Sequence, residues 1–143
     1  MSKIIYTNSD GTVAVIHPTG DVNDAIKDVP SGLSYEIVED SAIPKDRSFR
    51  NAWKQNNKTI ETDMTKAKEI HKAKIREARV DKLAALDIEY QRATETSADT
   101  SAIVAKKQAL RDAPAASGIS TASSEADLKA QWDTTNLGAS PYT

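Results

Sequence analysis

The chain has 143 residues with 19 Lys/Arg, 21 Asp/Glu and a formal net charge of −2, so its overall charge does not favour a nucleic-acid or membrane surface. Hydrophobic residues make up 38% and mean hydropathy is −0.55, which limits the size of any core. Cysteine is absent, which removes disulfides, thiolate metal ligands and a thiol nucleophile.

The chain starts Met1-Ser2-Lys3-Ile4-Ile5-Tyr6 and reaches Asn8 and Asp10 before a signal-peptide apolar region can form. No run approaches the ~20 apolar residues of a membrane span. The expectation is a chain made in a cytosol, with no membrane partner. Lys3 to Thr7 and Thr12 to His17 are β-rich runs around Asn8-Ser9-Asp10-Gly11, and Asp-Gly between such runs predicts a hairpin. Pro18 and Gly20 end the second strand. Asp21 to Val29 reads as a short helix capped by Asp21, stopped by Pro30-Ser31-Gly32. Leu33 to Glu39 alternates as a half-buried strand does. Phe49 and Trp53 follow, then the polar turn from Lys54 to Lys58, then Thr59-Ile60-Glu61 as the return strand of a second hairpin. Trp53 is expected to anchor the small core of this β-rich part.

From Thr62 the period changes. Thr62 or Asp63 supplies an N-cap, and no Gly or Pro occurs again before Pro114. Met64, Ala67, His71, Ile75, Ala78, Lys82, Leu86, Tyr90 and Ala93 recur every three or four residues. That spacing predicts one helix of about 33 residues, about 50 Å long. Ile70 and Ile88 lie nearly opposite this stripe. Thr96 to Thr100 breaks the pattern, and a second helix is expected from about Ser101 to Asp112, folded back as an antiparallel hairpin. Residues 113–123 read as a small-residue linker. Ser124, with Asp127 three places on, caps a short helix reaching about Trp132, and Thr134 to Thr143 reads as a mobile or docked tail. The fold class is therefore α+β: a β-rich module over residues 1–61, a helical hairpin over 62–113, and linker, short helix and tail over 114–143.

The chain offers little toward catalysis. His17 precedes a proline at a strand end, and His71 sits among lysines with no His or carboxylate four residues away on its face, so both read as ordinary histidines and not as ligands or bases. Glu36, Glu39 and Asp40, and likewise Asp21, Asp24 and Asp28, read as solvated acidic faces. No phosphate-binding glycine loop, calcium loop or nucleophile elbow occurs. The expectation is a non-enzymatic chain with no cofactor, no metal and no catalytic residue. Between Lys66 and Lys82 seven Lys/Arg face three acids, a local +4, yet the cations point round most of the helix and no aromatic interleaves with them. That favours a solvated helix over a nucleic-acid accessory protein. Trp132, after a linker, is placed to dock either on a neighbour or on its own hairpin. Met64, Ile70, Ile75, Leu86, Ile88, Tyr90 and Trp132 are the candidate protein-interaction residues.

Five stretches together carry a resemblance. They are Ile43-Pro44-Lys45-Asp46-Arg47-Ser48-Phe49-Arg50-Asn51-Ala52-Trp53, Asp63 to Lys72, Leu83 to Tyr90, Lys106 to Pro114 and Ala126 to Ala130. Together these resemble small, mostly uncharacterised tailed-bacteriophage proteins encoded near tail and tail-fibre genes. Lys107-Gln108-Ala109-Leu110-Arg111-Asp112 is also similar to the terminal helix of some tail-fibre assembly chaperones. The resemblance implies a virion tail location after synthesis in the host cytoplasm. It implies other tail or fibre proteins, or further copies of this chain, as partners. Assembly chaperone and virion component both fit it, and it supplies no catalytic residues.

Overall fold

The computed structural model describes residues 1–142. Thr143, the last residue of the expected tail, lies outside the described residues. The architecture is α+β, with small antiparallel sheets first and helices after, and it divides into two compact units, Met1–Ala67 and Lys68–Thr143. The compositional divisions after residues 61 and 113 therefore mark changes of element, and residues 114–142 belong to the same compact unit as the helices before them.

In the first unit, β1 (Ser2–Thr7) is the central strand of a sheet ordered β2-β1-β3, with β2 at Val13–Ile16 and β3 at Tyr35–Glu39, all antiparallel. Ile5 pairs across with Val15 and with Glu36. The Asp-Gly turn forms as the sequence predicts: Gly11 takes φ 86°, and Asp10 accepts from the Thr12 amide and hydroxyl at 2.9 and 2.6 Å. Asp21 caps the next segment, accepting from the Asn23 amide, but Val22–Asp28 closes into a 3-10 helix and not an α-helix. With four acidic or Asn residues and three β-branched ones among the nine from Asp21 to Val29, it lacks the propensity to propagate α-helix.

A second sheet pairs β4 (Trp53–Asn56) with β5 (Thr59–Thr62) across a two-residue turn, Asn57-Lys58, where Asn57 takes φ 52°. The core joins the sheets. Ile5, Val13, Val38, Ile43 and Trp53 are buried together, with Val15, Ala42 and Ile60 packed against them. Trp53 is 1% exposed, as its sequence position predicts, and Phe49 is wholly buried. Arg50 lies over the indole, 4.6 Å from the ring centroid, and donates to the Val13 carbonyl at 2.9 Å.

The long helix α1 spans Met64–Glu95, 32 residues without interruption. Asp63 is its N-cap: the carboxylate accepts from the Thr65 and Lys66 amides. Its end is a Schellman motif, with the Ala98 amide on the Ala93 carbonyl, the Ser97 amide on that of Thr94, and Ser97 at φ 56°.

In the second unit, α2 (Ser101–Asp112) returns antiparallel along α1. Arg79 of α1 donates to the carbonyls of Leu110 and Arg111, satisfying two acceptors that α2 leaves open at its end. Lys107 pairs with Asp87 and lies over the Tyr90 ring. Residues 113–123 are more than a linker. Ala113–Ala115 forms a 3-10 turn and α3 spans Ser117–Thr121, burying Pro114, Ile119 and Ala122. Lys68 donates to the Ser120 carbonyl at 2.8 Å and holds α3 to α1. The helix α4 (Glu125–Lys129) starts at Ser124, whose hydroxyl accepts from the Asp127 amide as expected. α5 (Thr134–Leu137) is capped by Asp133, so the expected tail is docked, with Leu137 buried.

Candidate functional site

The seven candidate interaction residues separate into two sets. Ile75, Leu86 and Trp132 are buried in the second unit's own core, so their side chains are not available to a partner. Met64 and Ile70 are half-buried. Ile88 and Tyr90 are exposed, at 52% and 40%. Ile88 belongs to a row that the sequence reading leaves out: Val80 is 60% exposed, and Val80, Ala84 and Ile88 follow one another at i, i+4 and i+8 on one face of α1. Val104 of α2 is 47% exposed.

His71 departs furthest from expectation. It is not a surface histidine: its relative exposure is 0%. The Tyr142 ring stacks on it, centroids 5.7 Å apart and planes 8° from parallel, and its Nδ1 and the Tyr142 hydroxyl are hydrogen-bonded at 2.5 Å. Trp132 meets both rings edge-on, 6.0 Å from His71 and 6.3 Å from Tyr142. Lys74, one turn along α1, and Lys129, at the end of α4, lie over the Tyr142 ring at 4.5 and 5.7 Å. Trp132 is itself fixed by its indole N–H, which donates to the Gly138 carbonyl at 3.1 Å. The sequence carried one signal for this arrangement, since His71 falls between Ala67 and Ile75 on the apolar stripe. Tyr142 carried none.

Burial, and secondly the charge of Lys74, push the His71 pKa down to about 4, while burial pushes Tyr142 up to about 12. Both are neutral at pH 7. In either tautomer the second ring nitrogen, Nε2, is buried with no hydrogen-bond partner among the described residues. An adjoining open cleft of about 440 Å³ is lined by Lys74, Glu77, Ala78, Trp132, Leu137, Ala139 and Pro141.

The other polar clusters do not converge. His17 lines a shallow groove in the first unit with Asp21, Asp24, Lys27 and Asp28, each of them exposed. Several cations of the basic stretch are engaged inside their own unit: Lys68 on Ser120, Lys72 with Glu69, Lys74 over Tyr142 and Arg79 on the end of α2. Among the described residues no group of three His, Cys, Asp or Glu is placed to hold a metal ion. Among the described residues no helix is long and apolar enough to cross a membrane. Comparison with protein-family models, with curated proteins and with solved structures finds no match to this chain.

Proposed function

We propose that this chain is a non-enzymatic structural protein of a bacteriophage tail, acting by packing against other proteins. The observation that carries the packing part is the exposed row Val80, Ala84 and Ile88 on α1, with Tyr90 and Val104 also exposed on the same hairpin. Single exposed apolar side chains are ordinary, but three in register on one helix face form a strip that a partner helix or strand can cover. A helix of 32 residues beside one of 12 leaves such a strip over, because the shorter helix cannot flank it along its length or on its far side. The phage context rests on the resemblance carried by residues 43–53, 63–72, 83–90, 106–114 and 126–130.

The test is mass spectrometry of purified particles, with wild type and a Val80→Glu, Ile88→Glu double variant supplied in trans. The reading expects the wild-type chain at a fixed copy number per particle and the double variant missing or depleted. A chain found in infected cells but absent from particles would make it an assembly factor. Equal incorporation of the variant would remove the strip as the packing surface.

A further inference from the structure

We propose that the exposed strip of α1 pairs with the same strip of a second copy of this chain, antiparallel, about a two-fold axis at Ala84. The inference rests on the packing role proposed above and names its partner. All the residues involved lie in the second unit and are exposed. At about 100° per residue, Glu77, Val80, Ala84, Ile88 and Gln91 point within about 40° of one direction. Asp81 and Arg92 share one margin of that strip, about 60–80° to the same side.

The order of these residues suits an isologous contact, in which one surface must complement itself. Positions equally far from Ala84 come level with each other in an antiparallel pair. Val80 then meets the partner's Ile88, and Ala84 meets its own copy, where two bare methyl groups let the axes approach to about 8 Å. Glu77 lies level with the partner's Gln91 and Glu95 with the partner's Ala73, so no acid faces an acid along the centre line. A parallel pair would set each of these glutamates against its own copy. On the margin, Asp81 and the partner's Arg92 are offset by five residues, about 7.5 Å. Helical side chains lean toward their own N-terminus, so in antiparallel helices these two lean toward each other and close the gap. The two-fold axis makes that pair twice. Neither side chain has an ion pair within its own chain among the described residues. From Glu77 to Arg92 the contact is about 22 Å long and buries less than the ~1,200 Å² of a stable complex, so dimerisation is expected in the upper micromolar range.

The experiment is sedimentation equilibrium of the full chain from about 10 μM to about 1 mM at low salt. Wild type is expected to dimerise. Asp81→Arg or Arg92→Asp alone is expected to weaken the dimer about 10-fold, because each places like charges together on both copies of the margin. An equimolar mixture of the two single variants is expected to recover wild-type affinity, since every margin of the mixed pair again sets an acid beside an arginine. The chain has no cysteine, so spin labels at Glu95→Cys report direction. They are expected about 33 Å apart along the helix, against about 10 Å in a parallel pair. Wild type still monomeric at about 1 mM overturns the pairing, whatever the Val80→Glu, Ile88→Glu variant does in particles. So does a mixture no tighter than its components, or labels about 10 Å apart. A wild-type dimer whose strip variant still enters particles would uphold the pairing and refute the packing role.

Discussion

Replacing Trp53 tests the first unit most directly. The indole is 1% exposed among Ile5, Val13, Val38 and Ile43, and a buried aromatic of this kind removes about 150–250 Å² from water. At about 25 cal/mol per Å² that area is worth about 4–6 kcal/mol, an upper bound that agrees with the ~3–5 kcal/mol seen when large core aromatics become alanine. A unit of 67 residues has about 3–10 kcal/mol of stability in total, so Trp53→Ala is expected to bring it close to unfolding. Trp53→Phe should behave differently. The indole Nε1 is buried with no partner among the described residues, and such an orphan donor costs about 1–3 kcal/mol. Phenylalanine removes the orphan while keeping a ring for Arg50 to cover, so its net loss is expected to be about 1 kcal/mol or less. Urea unfolding followed by NMR signals of Ile4, Ile5 and Val38 reads this unit without depending on the lost fluorophore. A Phe variant as unstable as the Ala variant refutes the orphan-donor reasoning, and an Ala variant losing less than about 1.5 kcal/mol refutes the core assignment.

Ser97 sits at φ 56° in the Schellman motif that ends α1, a position that costs an L-residue about 1 kcal/mol, so Ser97→Gly is expected to stabilise the hairpin by about 0.5–1 kcal/mol in thermal melts. A lower melting temperature would mean that the hydroxyl, not the backbone, matters there. On the same helix Ile75→Ala should cost about 2–4 kcal/mol and Ile88→Ala less than about 0.5 kcal/mol in the isolated protein, since one side chain is buried and the other open. Equal losses in chemical denaturation would contradict the placement of the two faces.

Much of this fold was legible because its signals are local. The Asp10-Gly11 turn, the Asp63 cap, the stretch from Met64 to Glu95 without Gly or Pro, and the Ser124–Asp127 pair each depend on residues within a few positions of one another. What was missed depends on contacts far apart in sequence. Residues 113–123 read as a linker because α3 has only five residues, too few to display a helical period, and Pro114, Ile119 and Ala122 are buried by tertiary packing that no spacing reveals. His71 was discounted for the lysines beside it, whereas its burial depends on Trp132 and Tyr142, 61 and 71 positions away. Ile75 and Leu86 were correctly placed on one stripe, but both are buried within the second unit, while Tyr90 on the same stripe stays exposed.

The strand order β2-β1-β3 has a consequence for how the first unit comes together. The central strand is the one nearest the N-terminus, and its two neighbours differ greatly in how far the chain must travel to reach it. Joining β1 to β2 closes the five residues from Asn8 to Thr12, while joining β1 to β3 closes the stretch from Asn8 to Ser34, roughly five times longer and about 1.5 kcal/mol dearer in chain entropy. The hairpin therefore forms first, on the microsecond scale of isolated hairpins, and offers β3 a template with Ile4 and Ile5 already aligned. β3 seals the sheet afterwards, and it is the strand whose detachment would unravel the unit from its far edge.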